Sequence, residues 1–286
     1  MEQKPVDGHE ALAPPDAEIA QQYLYEATAV ADRRAKVVDR RALAWLQIIN
    51  AVTTAAYLVA LSAALRGDDT VAPQMFVFSF LVWTQVASGL AQRSGMQWRM
   101  TRSRWPVILA AGVLLAVVLV VFGFVALDPG VSPLWILVPA VMVLIGFGGY
   151  GVVQLARASA DPRPEASARA PLPRGVRWGT VLIGVALGVT VMLAAAPEGA
   201  LTTVFVLLVM LMLIAWMIAH RSDMGLPAVG AAWRWPHFVA FGASVGVLAV
   251  VVLGAGLPPA LGVAGGAGVI LLFAVVSFVP GRDLRD

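Results

Sequence analysis

The chain has 286 residues, of which 59% are apolar and only 13% charged, with a formal net charge of +3 and no cysteine. An ordinary soluble domain carries about twice that charged fraction, so a water-soluble globular fold is excluded. The missing cysteines exclude disulfides, thiolate catalysis and cysteine-ligated metals.

The apolar residues gather into eight runs: 43–65, 75–91, 106–127, 133–156, 178–196, 200–219, 236–257 and 259–279. A bilayer crossing needs about 20 residues, and the short second run is expected to begin near Val71. None of the runs contains Asp, Glu, Lys or Arg. Barrel strands would alternate polar and apolar residues over about 10 positions, which these runs do not, and helices satisfy their own backbone in lipid. The expected fold class is an all-α integral membrane protein with eight transmembrane helices and a cytosolic N-terminal helix.

Orientation follows from the basic residues. Nineteen of the 20 Lys and Arg fall in 1–42, 92–105, 157–177, 220–235 and 280–286, while 66–74, 128–132, 197–199 and 258 hold only Arg66. The positive-inside rule then places both termini in the cytoplasm. The first apolar run begins at Leu43, behind a charged segment, as in an uncleaved signal anchor. The Ala-, Val- and Arg-rich usage points to a bacterial plasma membrane. The expected plan is a cytosolic N-terminal segment 1–42, a four-helix membrane unit 43–156, a cytosolic Pro/Ala/Arg linker 157–177, a second four-helix unit 178–279 and a cytosolic tail 280–286.

Residues 1–15 are polar, with prolines at 5, 14 and 15, and read as disordered. A helix is expected from Asp16, its N-cap, with Glu18 in the first turn. Tyr23, Val30 and Val37 fall seven apart, and Arg33, Arg34, Lys36, Arg40 and Arg41 crowd the membrane-proximal end. Two heptads are fewer than a coiled coil needs. The better expectation is a juxtamembrane helix whose basic end meets anionic headgroups.

The first hairpin holds the main intramembrane polar residues. Gln47, Asn50, Thr54 and Tyr57 form one stripe on the first helix, and Gln85, Ser88 and Gln92 form another on the second. Asn50 and Gln85 lie at matched depth, roughly 10 Å in at about 1.5 Å per residue. They are expected to hydrogen-bond across the hairpin as structural glue. The alternative makes the same residues the lining of a solute path.

Arg93-Ser94-Gly95-Met96 and Arg104-Trp105-Pro106 then form an elbow between the second and third runs. It recurs as Arg221-Ser222-Asp223-Met224 and Arg234-Trp235-Pro236, at offsets of 128 and 130 residues. Each half would have an even number of crossings, so such a duplication gives two parallel four-helix repeats. The elbow guanidiniums of Arg93, Arg99, Arg102, Arg104, Arg221 and Arg234 are the candidate docking surface. Trp98 and Trp105 are expected interfacial anchors, and Pro106 opens the third helix.

The fourth run carries Pro139, an expected kink, and Gly146-Phe147-Gly148-Gly149-Tyr150-Gly151. That string spells the dinucleotide fingerprint but follows no strand, so close helix packing is expected. The linker is expected to lack regular structure. In the second half Gly184/Gly188, Gly242/Gly246 and Gly262/Gly266 are small-xxx-small pairs. The first two lie at shared depth and are expected to touch.

Catalytic chemistry is weakly represented. Gly242-Ala243-Ser244-Val245-Gly246 spells a serine-hydrolase elbow without the strand-to-helix turn, base and acid that motif needs. His220 and His237 sit at the cytosolic face, where solvated imidazoles are expected rather than haem ligands. No cofactor, metal or nucleic-acid partner is expected. Coupled carriers usually place an Asp, Glu, Lys or Arg inside the membrane, and these runs have none. The expected function is a non-enzymatic accessory or structural subunit that docks a protein partner on its basic cytosolic face. The alternative is a transporter or permease subunit for a neutral or amphipathic solute.

Overall fold

The computed structural model describes residues 21–23, 25–26, 38–67, 72–95, 105–128, 130–161, 169–196, 199–218, 222, 224–254 and 257–282. The chain divides into two compact units after Val38. Residues 21–23 and 25–26 of the first are helical. Its expected N-cap Asp16 and the basic stretch 33–36 lie outside the described residues.

The second unit is almost entirely helical. Its elements are α1 (Arg40–Leu65), α2 (Ala72–Arg93), α3 (Trp105–Leu127), α4 (Pro133–Ala160), α5 (Arg174–Ala194), α6 (Ala200–Ile218), α7 (Leu226–Ala232), α8 (Trp235–Leu253) and α9 (Pro259–Val276). Among the described residues, the seven helices other than α6 and α7 are long and apolar enough to cross a membrane. The chain is an all-α protein of the multi-pass membrane type.

Local chemistry sets the helix ends. Asp39 caps α1, its Oδ1 accepting the Ala42 N–H at 2.8 Å, which satisfies one orphan donor of the first turn. Pro106 and Pro236 stand in the first turns of α3 and α8, where a missing N–H costs nothing. At the opposite end of the first hairpin, Arg66 donates from Nε and Nη2 to the Val125 carbonyl. Arg66 thus satisfies a carbonyl in the last turn of α3.

Helix α4 is composite. A 3₁₀ turn at Pro133–Ile136 leads into α geometry, which gives way to a π turn at Leu144–Gly148 before α geometry resumes at Gly149–Arg157. The Gly149 N–H reaches back to the Leu144 carbonyl, the five-residue step of a π turn. The π turn overlaps the start of the glycine string, while Pro139 lies within the α segment Leu137–Val143. Gly151 lets α4 sit against α1: a Cβ there would come 3.2 Å from the Ile48 nitrogen and 3.3 Å from the Ala44 carbonyl oxygen.

Helix α7 replaces part of what the sequence presents as a simple elbow. Leu226, Pro227, Val229, Gly230 and Ala232 are all buried. It crosses α2 at backbone contact distance, because a Cβ on Gly89 would overlap the Pro227 carbonyl and one on Gly230 the Val86 carbonyl. Gly179 of α5 faces Val229 and Met224 on another side. The largest core cluster forms around this wedge and includes Val86, Ile183, Trp233, Phe241 and Phe273.

The linker is also more ordered than expected. Its β1 (Arg169–Ala170) pairs antiparallel with β2 (Gly281–Arg282), Arg169 standing opposite Arg282 and Ala170 opposite Gly281. Linker and tail thus meet in a short ribbon.

Candidate functional site

The polar stripe is absorbed into packing, though not through the expected pair. Asn50 Oδ1 accepts a hydrogen bond from Trp83 Nε1 at 3.1 Å. Gln85 stands two residues from Trp83, which turns it about 200° around the helix at 3.6 residues per turn. Once Trp83 faces Asn50, Gln85 cannot. Ser88 Oγ accepts from Gln92 Nε2 at 3.2 Å, one turn away on the same helix. Tyr57 is buried edge-on against Phe80, with ring centroids 5.1 Å apart. Its hydroxyl lies beside Ser79 without a hydrogen bond of normal geometry. Gln47 and Thr54 are half-buried on the same helix.

Two cavities lie away from these residues. An open groove of about 580 Å³ between α1 and α4 is lined by Arg41, Trp45, Val152, Leu155, Ala156 and Ser159. A cleft of about 10 Å³ lies among Gln74, Met75, Phe78, Leu193, Val206, Val209 and Met210. Neither includes any of Gln47, Asn50, Thr54, Tyr57, Gln85 and Ser88.

Two of the three glycine pairs meet. A Cβ on Gly184 would overlap Phe273, and one on Gly188 would come 2.6 Å from the Gly266 carbonyl oxygen. Gly262 faces Ala195, so Gly184, Gly188, Gly262 and Gly266 all lie where α5 packs on α9. The expected contact of Gly184/Gly188 with Gly242/Gly246 is not made. A Cβ at Gly242 or Gly246 would meet nothing within 4 Å, and both are exposed. The apolar partner face for α5 is supplied by α9, which leaves that face of α8 outward.

His237 also departs from expectation. It is fully buried and stacks on Trp233, with ring centroids 5.7 Å apart and planes at 21°. Its Nδ1 accepts the Arg234 backbone N–H at 3.3 Å, an arrangement akin to half of a capping box. It is a packing residue at the start of α8, not a solvated imidazole. His220 lies outside the described residues. Ser244 is buried in the helix and donates to the Ala240 carbonyl at 2.8 Å, so the hydrolase-like string is helical packing. Trp233 Nε1 donates to Thr180 Oγ1 at 3.0 Å, and Thr180 in turn donates to the Val176 carbonyl at 2.9 Å. This buried link between α5 and the α7–α8 joint was not visible in the sequence pattern.

Among the described residues, Arg93, Arg234 and Arg282 lie near the end of the bundle where α2 stops and α8 starts. Arg93 Nη1 donates to the Ala231 carbonyl at 3.2 Å. The Asp39 N–H donates to the Ser94 carbonyl at 3.2 Å, which brings that carboxylate to the same corner. Arg234 Nη1 is buried and finds no hydrogen-bond partner among the described residues. Burial pushes the Arg282 guanidinium below its usual range, Arg93 and Arg234 push it the same way, and Asp39 opposes them. Arg177 lies with its guanidinium carbon 5.1 Å above the Phe278 ring, a cation–π contact. Of the elbow residues, Arg99, Arg102, Arg104 and Arg221 lie outside the described residues, as does Trp98.

The chain matches no known protein family, and no curated protein or solved structure is similar to it.

Proposed function

We propose that this is a non-enzymatic accessory subunit of a bacterial plasma membrane, crossing it eight times and presenting its basic end to a partner in the cytoplasm. The topology rests on one observation above all. Strand β1 precedes α5 and β2 follows α9, yet the two are hydrogen-bonded to each other. Strands on opposite faces of a bilayer cannot pair, so an even number of crossings separates them. That requires α6 to span as well as α5, α8 and α9. The Arg93–Ala231 bond imposes the same parity through α3 to α6. The positive-inside rule then turns this end to the cytoplasm.

A parallel duplication is part of this reading. In each half the first span packs on the fourth through glycine, α1 on α4 at Gly151 and α5 on α9 at Gly184 and Gly188. The accessory role is favoured over transport because Asn50 is engaged by Trp83 and the stripe lines neither cavity. The arginines are held in a defined arrangement at the other functional candidate, the basic end.

The native chain has no cysteine, so Arg99→Cys and Arg169→Cys can be probed one at a time. Both should resist a membrane-impermeant maleimide in intact cells and react after permeabilisation; reaction at one of them in intact cells ends the topology. For the role itself, a photocrosslinker placed at position 169 should capture protein, while one at position 119 on the outer face of α3 should not. Capture at neither, together with no effect of deleting residues 1–42, would leave the accessory reading without support.

A further inference from the structure

We propose that Arg93, Arg234 and Arg282 form a binding site for a phosphate group, carried either by an anionic lipid headgroup or by a soluble phosphate compound. This deepens the reading above, on which it rests only for the side of the membrane involved.

Three separate parts of the chain bring Arg93, Arg234 and Arg282 to one backbone segment. Arg93, at the end of α2, is hydrogen-bonded to the Ala231 carbonyl. Gly281 is pressed against the next residue, since a Cβ on it would lie 2.7 Å from the Ala232 carbonyl oxygen, and Arg282 follows directly. Arg234 stands two positions beyond Ala232. The β1–β2 ribbon fixes Arg282 by pairing it with Arg169. Among the described residues, Asp39 is the carboxylate felt at Arg282, and its Oδ1 is already engaged as the cap of α1. Guanidiniums gathered on one segment offer several paired donors, which suits the three free oxygens of a phosphate better than a carboxylate.

The energetic case is the cost of gathering these guanidiniums in one place. Like charges drawn together in a half-buried setting repel and lose hydration. Arg282 carries that penalty from Arg93 and Arg234 as well as from burial. The Arg234 Nη1 donors are shielded from water with no acceptor among the described residues. Guanidinium presents planar paired donors suited to phosphate oxygens, and such charge-assisted bonds are among the stronger ones. A phosphate at this corner would accept from Arg234, separate the three cations and hold the C-terminal ribbon against α7.

The test uses the full-length protein in lipid nanodiscs, with thermal unfolding as the readout. Discs of pure phosphatidylcholine are titrated with inorganic phosphate, and compared with discs containing about 20% phosphatidylglycerol. Saturable stabilisation by inorganic phosphate in the neutral discs supports the site with a soluble source. Stabilisation only in the anionic discs, with phosphatidylglycerol retained on the protein in native mass spectrometry, supports it with a lipid source. Arg234→Gln and Arg282→Gln should each weaken the effective ligand about tenfold, as expected for one charge-assisted bond. Arg157→Gln, at the exposed end of α4, should not. If a glutamine variant fails to fold, Arg234→Lys and Arg282→Lys keep the charge and should still weaken binding by loss of the planar fork. No stabilisation by either ligand, or equal binding by wild type and the Arg234 and Arg282 variants, overturns the proposal. That result would leave protein capture at position 169 untouched, so the two readings fail separately.

Discussion

Helices α3 and α5 are written in nearly the same residues and do opposite jobs. After Trp105, α3 is Val, Leu, Ile, Ala, Gly and Phe with one proline, and only Val118, Val125 and Ala126 are buried. Helix α5 is less apolar, with Thr180 and Thr190 in its span, yet ten of its residues are buried. In water the more apolar helix would be the interior one. In a bilayer the tails are as apolar as leucine, so burial is decided by close packing and hydrogen bonds. Small residues and hydroxyls therefore mark the centre of this protein, and unbroken Val and Leu mark its rim.

Glycine substitutions should break this contrast most visibly. A Cβ at Gly188 must displace Ile270 or the Gly266 carbonyl, and one at Gly89 must push α2 off the Pro227 carbonyl. Gly89→Ala and Gly188→Ala are each expected to cost about 3 kcal/mol, the upper range for overpacking. Gly112→Ala in α3 and Gly242→Ala in α8 add a methyl where nothing lies within 4 Å. They should stay within about 0.5 kcal/mol of wild type. Reversible unfolding in mixed micelles measures all four. Equal losses from the two sets would mean that the α5–α9 and α2–α7 contacts do not carry the fold.

A smaller effect is expected at Thr180. Thr180→Val keeps the shape but removes the acceptor for Trp233 Nε1, which is wholly buried. Leaving such a donor unpaired costs about 1–3 kcal/mol. The same unfolding assay should show that loss, and Thr180→Val should cost less in a Trp233→Phe background than in the wild type. An equal cost in both backgrounds would show that the loss comes from α5 itself rather than from the broken link.

Much of the scaffold could be read in the sequence because membrane length and charge placement are one-dimensional signals. Span limits such as Arg40–Leu65 and Ala72–Arg93 follow from runs of charge-free residues bounded by Arg or turn residues. What stayed hidden depends on which helix faces which. Helix α7 is too short for a span signal, although Gly225-Leu226-Pro227 followed by a charge-free stretch to Trp233 offered a start and a length. Gly89 and Gly230 are single glycines on different elements, and no spacing rule joins them. Arg282 sits in the tail, and only the pairing with Arg169 brings it to the arginine corner.

The smallest effect separates the two descriptions of the first hairpin. Matched depth alone would pair Asn50 with Gln85, whereas the bond runs to Trp83. Asn50→Leu should cost about 0.6 kcal/mol, the average for an interhelical bond of this kind. Gln85→Leu should cost less, because Gln85 is half-buried and makes no hydrogen bond among the described residues. The decisive quantity is the coupling between them. Sites without a shared partner add to within about 0.3–0.5 kcal/mol, so the double variant should lose only the sum of the single losses. Coupling should appear instead between Asn50→Leu and Trp83→Phe, where the second change removes a bond the first has already broken. A coupled Asn50–Gln85 pair would mean that the two amides meet in the membrane, and would restore the cross-hairpin bond that matched depth predicts in place of the bond to Trp83.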